Sequence, residues 1–168
     1  GAAGLGDPIH RGPESVAHDL REGVISARAA SEIYGLVLDS TGEADLEATA
    51  RRREEIRRER LAGEPRMPNE AAMPDGARKI TDDLWLAEGR VVCGCGETIG
   101  EAGNPLARAK ELIGPLTTAG PVRGEAYAAL YGAERFFLCR QICPGCGTQL
   151  ETRVIMEGAP RPQWRLDE

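Results

Sequence analysis

Two close pairs of cysteines constrain the fold of this chain more than any other feature. The first pair lies in Cys93-Gly94-Cys95-Gly96 and the second in Cys143-Pro144-Gly145-Cys146-Gly147. Each pair can form a tight glycine-bearing knuckle, and two knuckles together set four thiolates at the corners of a tetrahedron. Four thiolates about 2.3 Å from a common centre make the closed cage of a structural zinc ion, with no coordination position left for water. Glycine beside each ligand lets backbone amides turn toward sulfur and disperse its charge; Gly94, Gly96, Gly145 and Gly147 are placed for that. The Cys-x-x-Cys-Gly pair is the stronger signal, because the single residue between Cys93 and Cys95 gives a tighter bite. Iron fits the same cage, zinc being the commoner occupant. The competing reading is a set of buried or redox-active thiols. Redox pairs sit at a helix start in a βαβ setting, whereas strand-like sequence flanks both pairs here. The predicted metal ligands are therefore Cys93, Cys95, Cys143 and Cys146. Cys139, four residues before Cys143 on a predicted strand, reads as a small core residue and not as a ligand.

Composition narrows the setting. Five cysteines are an odd number, and no signal peptide is visible, so a disulfide framework is disfavoured and metal binding is favoured. No apolar run approaches the ~20 residues needed to span a bilayer. A cytoplasmic chain with no membrane partner is the expectation. The net charge of −6 works against nonspecific attraction to nucleic-acid phosphates. Aromatic residues make up only 4% of the chain, low for a globular core, and glycine and proline are plentiful, so burial against partners or extended segments are expected.

The pattern predicts an α+β chain: a helical N-terminal segment, then a zinc-ribbon-like β domain with an inserted helix. Four regions are expected, namely residues 1–62 (helical), 63–79 (a linker with three prolines), 80–158 (the ribbon) and 159–168 (a tail). Pro13 suits the first turn of a helix running to about Glu22, with Gly23 as its stop. Val16 and Leu20 mark its apolar face. Ser26 caps a second helix that runs through Tyr34 to a stop at Gly35. Leu36-Val37-Leu38 is a strand candidate, and Asp45 opens a third helix to about residue 61. In the ribbon, Leu84-Trp85-Leu86 and Arg90-Val91-Val92-Cys93 flank a hairpin turn. Asn104-Pro105 offers a helix cap and first-turn proline, predicting a helix that ends at Gly114. A short helix is predicted at 124–131. Strands over 135–142 and 148–156 flank the second knuckle, with Leu150, Thr152, Val154 and Met156 on one side.

Other motifs carry less. The run from Arg51 to Arg60 holds a dense set of arginines. Glu54 precedes Arg58 by four residues and Arg51 precedes Glu55 by four, so compensated pairs on a solvated or partner-facing helix are expected. His10 and His18 lie far from the cysteines and read as exposed. Gly1-Ala-Ala-Gly-Leu-Gly has no strand before it and does not make a nucleotide fingerprint. No Ser/His/Asp set or phosphate loop is present, so no catalytic or cofactor-binding residue is assigned.

Two resemblances add to this reading. Residues 82–156 resemble the small zinc-containing gamma subunit of acetone carboxylase and its acetophenone carboxylase counterpart. Leu84-Trp85-Leu86, Val92-Cys93-Gly94-Cys95-Gly96 and Ile142-Cys143-Pro144-Gly145-Cys146-Gly147-Thr148 carry the likeness. Residues 1–62 resemble the C-terminal tail of the hydantoinase B/oxoprolinase family, through Gly4-Leu5-Gly6-Asp7-Pro8, Glu14-Ser15-Val16, Asp19-Leu20, Gly23-Val24-Ile25-Ser26 and Tyr34-Gly35-Leu36-Val37-Leu38; Ala2 and Ala3 depart from the family's usual glycines. The resemblance implies the C-terminal region of a larger subunit. Its partners would be large hydantoinase A-like and hydantoinase B-like subunits. The implied activity of the whole is ATP-dependent ketone carboxylation or cyclic-amide opening, with this region a non-catalytic structural zinc module. The residues leave open an independent zinc-ribbon module for protein or nucleic acid, and a small catalytic-zinc enzyme.

Overall fold

A computed structural model describes residues 6–66, 73, 76–115 and 136–158. They fall into two compact units, a helical one over Asp7–Pro65 and a β one beginning at Arg66. The architecture is α+β, with a few helices and two antiparallel sheets.

The helical unit follows its local signals closely. A 3-10 turn at Pro8–His10 is capped by Asp7, whose carboxylate accepts the Ile9 N–H at 3.2 Å. Helix α1 spans Pro13–Arg21, α2 Ala27–Glu32 and α3 Leu46–Leu61. Ser26 caps α2 by accepting the Ala29 N–H at 3.1 Å, and Asp45 caps α3 by accepting that of Ala48 at 2.9 Å. Such caps satisfy donors that a helix start leaves open, each worth ~1 kcal/mol. Val16, Ala17, Ala30 and Leu36 form the core of the unit, with Leu20, Ile25, Tyr34 and Ala44 packed around it.

Leu36–Leu38 does not become a strand. It makes one isolated bridge, Leu38 to Ala44. The hydroxyl of Thr49, fully buried on α3, accepts the Val37 N–H at 3.0 Å and donates to the Val37 carbonyl at 3.3 Å. The Leu36 amide reaches Ala30 O at 2.9 Å. The segment's polar backbone is thus taken by helices, and no ladder is needed.

Helix α3 carries the compensated pairs expected of a solvated or partner-facing helix on one side only. Its outer side carries compensated pairs: Arg58 with Glu54 at 2.6 Å, and Arg52 with Glu55 at 3.1 Å and Glu59 at 2.9 Å. Arg51 pairs with Glu47 and not with Glu55. The other side turns inward. Arg60 is only 7% exposed and forks onto the fully buried Asp7 carboxylate at 2.6 and 3.1 Å. Arg53 donates to the carbonyls of Tyr34 at 3.1 Å and Arg11 at 2.7 Å. His10 is exposed, with Nε2 2.8 Å from an Arg57 guanidinium nitrogen, and His18 is exposed.

The β unit contains two sheets. Strands β1 (Arg78–Lys79), β2 (Leu84–Ala87), β3 (Arg90–Cys93) and β4 (Thr98–Glu101) form one in sequence order. Strands β5 (Lys110–Pro115), β6 (Phe136–Ile142) and β7 (Gln149–Met156) form the other. The β2–β3 hairpin closes through Glu88 and Gly89 at φ 50° and 74°, the paired positive angles of a type I′ turn. Arg78 and Lys79, at the end of the stretch expected to be a linker, pair with Leu86 and Trp85.

The helix expected from Asn104 to Gly114 is absent. Asn104–Arg108 makes turns, and Lys110–Pro115 is strand β5, paired along its length with β6 from Lys110↔Ile142 to Pro115↔Phe137. The Asn-Pro signal does start a turn, seen in the Ala107 N–H to Asn104 carbonyl bond at 3.2 Å. Pairing with β6 then outweighs local helix propensity, which is only a weak prior. The helix predicted at 124–131 and the 159–168 tail lie outside the described residues. On β7, Val154 and Met156 expose about half of their surface at 54% and 47%, so that face is only partly covered among the described residues. No helix among the described residues is long and apolar enough to cross a membrane.

Candidate metal centre

The two cysteine knuckles share one construction. Cys93 ends β3, and Gly94–Gly96 turn the chain into β4. Cys143 follows β6, and Pro144–Cys146 turn it into β7. In the first, the Cys93 N–H reaches Glu97 O at 2.8 Å and the Gly96 N–H returns to Cys93 O at 2.8 Å. In the second, the Cys143 N–H reaches Thr148 O at 2.8 Å and the Gly147 N–H returns to Cys143 O at 3.0 Å. Gly96 and Gly147 hold φ at 85° and 75°, the left-handed region that costs a side-chain-bearing residue ~1–2 kcal/mol. That requirement explains one glycine in each knuckle. Gly145 answers a different need, close approach: a Cβ there would lie 3.2 Å from Cys95 Sγ and 3.1 Å from Glu97 Cβ.

The knuckles bring all four predicted cysteines together. Every sulfur lies within 4.8 Å of the others, and all four residues are buried. Cys93 Sγ is 3.7 Å from Cys146 Sγ, and Cys95 Sγ is 3.6 Å from Cys143 Sγ. A disulfide needs ~2.05 Å, so these are separate sulfurs. A tetrahedron with ~2.3 Å metal–sulfur bonds has edges of ~3.8 Å, close to the spacing seen. The donor set and its geometry fit a divalent ion, and the cluster can hold one. The cysteines are also core: they supply four of the eight buried members of the β unit's main cluster, beside Leu84, Val91, Ile99 and Leu106. Cys139 lies elsewhere on β6, buried opposite Ile113 and Arg153, and is not part of the cluster.

Electrostatics favour a cation here. Hydrogen bonding to Cys143 pushes the Cys93 thiol up, and hydrogen bonding to Cys146 pushes Cys143 up. Cys95 and Cys146 are held down, each chiefly by its hydrogen bond with Cys143. The Glu97 backbone N–H helps Cys95, and the Thr148 hydroxyl, 3.2 Å from Cys146 Sγ, helps Cys146. Four thiolates gathered in a buried site would repel one another, a charge that a bound cation would offset.

The four cysteines expected to lie together do so, and sequence reasoning assigned no role to either neighbouring group on the seam between the knuckles. Glu97, four residues after Cys93, had no signal beyond that proximity, whereas Thr148, two after Cys146, stood in the motif that carries the family resemblance without being assigned a role.

No known protein family profile matches the chain. Over 66 residues it is 41% identical to the acetone carboxylase alpha subunit of Xanthobacter autotrophicus (strain ATCC BAA-1158 / Py2). The match covers 37% of this chain and 8% of that protein, so the likeness concerns a small part of a much longer subunit.

Proposed function

We propose that Cys93, Cys95, Cys143 and Cys146 hold a structural zinc ion, and that the chain is a non-catalytic assembly module of a multisubunit ATP-dependent carboxylase. The observation that carries this is the closed set of four buried sulfurs within 4.8 Å of one another. With four protein ligands the bound ion has no open position, so it supplies folding free energy and not Lewis-acid chemistry. In zinc-finger peptides that energy is ~10–16 kcal/mol, ample for a β unit whose core is half cysteine. The likeness to an acetone carboxylase alpha subunit supports the carboxylase setting. In this reading the β unit is the gamma-like zinc domain, the helical unit is the hydantoinase B-like tail, and the large hydantoinase A-like and hydantoinase B-like subunits are the partners. Five of the six arginines of α3 are engaged by Glu47, Glu54, Glu55, Glu59, Glu64 and Asp7 or by backbone carbonyls, and Arg57 faces His10, which weakens the main support for a nucleic-acid-binding ribbon.

Two experiments test the reading. Chelation of the purified chain should release one zinc and expose four newly reactive thiols while melting the β unit; a chain that stays folded without metal contradicts the structural role. Co-expression with the large subunits should give a stable complex on size exclusion, and the chain eluting alone contradicts the assembly role.

A further inference from the structure

The metal centre has an acidic neighbour. The Cβ position of Gly145 lies 3.2 Å from Cys95 Sγ and 3.3 Å from Glu97 Oε2, so a carboxylate and one of the four sulfurs border the same small gap at Gly145. Four thiolates around a divalent ion carry a net charge of −2, and a carboxylate a few ångströms away is repelled by them. The Glu97 side chain is 30% exposed, its Cβ 3.1 Å from the Cβ position of Gly145 on the second knuckle.

One residue compensates. The Arg66 guanidinium pairs with Glu97 Oε2 at 3.1 Å, and the Arg66 backbone N–H donates to the Gly145 carbonyl at 2.8 Å. Arg66 therefore touches the first knuckle through its side chain and the second through its main chain. The backbone bond holds it on the seam whatever its side chain, and the side chain supplies the charge.

We propose that Arg66 is a positioning residue for the metal centre, the counter-ion that lets the acidic first knuckle close against the second around a divalent metal. The proposal rests on the metal reading above and adds to it a residue outside both cysteine motifs. Arg66 acts through Glu97. Its loss should therefore matter only while the Glu97 side chain is a carboxylate and not its amide.

The test uses the full chain loaded with zinc, with release followed in excess chromophoric chelator. Arg66→Ala should release zinc about three- to fivefold faster, the scale of a partly exposed ion pair. Arg66→Lys, which keeps the charge, should stay within about twofold of the parent by the same reasoning. Arg66→Ala combined with Glu97→Gln should return to the parent rate, because the charge needing compensation is gone. The Arg66→Ala effect should fade near ~1 M salt, where the Debye length is ~3 Å. An Arg66→Ala rate equal to the parent's, or a double variant as fast as Arg66→Ala alone, overturns the proposal while leaving the metal reading intact. A parent chain that takes up no zinc overturns both.

Discussion

Gly145→Ala should weaken metal binding without weakening the backbone. Gly145 is not in the left-handed region, so alanine costs nothing in φ. The whole effect comes from the methyl, which would sit 3.2 Å from Cys95 Sγ and 3.1 Å from Glu97 Cβ. Carbon contacts prefer ~3.5–4.0 Å, so the neighbours at the seam must give by a few tenths of an ångström. The sulfur pairs now stand 3.6 and 3.7 Å apart, and opening them lengthens bonds that tolerate little. Overpacking of this kind costs about 1–3 kcal/mol. At tenfold per ~1.4 kcal/mol, that is about 5- to 150-fold in metal affinity. Competition with a chelator of known zinc affinity measures it. Gly103→Ala is the control, since a Cβ there meets nothing within 4 Å. An affinity for Gly145→Ala within twofold of the Gly103→Ala value would refute the reasoning that the knuckles are apposed at this glycine.

Asp7→Asn should destabilise the helical unit by about 3–5 kcal/mol, because it leaves the buried Arg60 guanidinium without its counter-charge. At ~0.05–0.15 kcal/mol per residue, the Asp7–Pro65 unit has only ~3–9 kcal/mol to lose. Urea unfolding followed by far-ultraviolet circular dichroism reads this, and a loss below ~1 kcal/mol contradicts a buried, charge-dependent pair. Ala62→Gly should stabilise the same unit by ~1 kcal/mol, since Ala62 caps α3 at φ 56° and alanine pays for that conformation. An unchanged urea midpoint would contradict it. Asp39 accepts the Thr41 hydroxyl at 2.6 Å and the Thr41 and Glu43 N–H groups at 2.8 and 3.1 Å. The side-chain bond from Thr41 leads in holding its carboxyl below the usual range. A depressed folded pKa contributes stability that is present above the unfolded value and lost as pH falls through the folded one. Carboxyl chemical shifts on acid titration should place Asp39 below ordinary exposed aspartates, and an ordinary midpoint would contradict the turn geometry.

The parts legible in the sequence are those whose cause is local. Ser26 and Asp45 cap helices wherever they precede a helix-forming run, and the structure uses both as caps. Gathering of the four cysteines follows from their spacing and their glycines. What sequence could not supply depends on partners far along the chain. The Asn104-Pro105 cap signal is real at the turn, yet the residues after it are claimed by β6, about thirty positions on. Arg60 looks like its neighbours in a charge run, and only the fold of Asp7 against it makes it a buried residue. Arg66 sits in a stretch whose prolines announce a linker, and nothing local links it to Glu97 and Gly145.

The central claim is a closed four-sulfur zinc centre, and X-ray absorption at the zinc edge on the metal-loaded chain tests it most directly. The account predicts one zinc per chain with four sulfur neighbours at ~2.3 Å and no nitrogen or oxygen in the shell. A shell with three or fewer sulfurs, or a folded chain that takes up no metal, would contradict it.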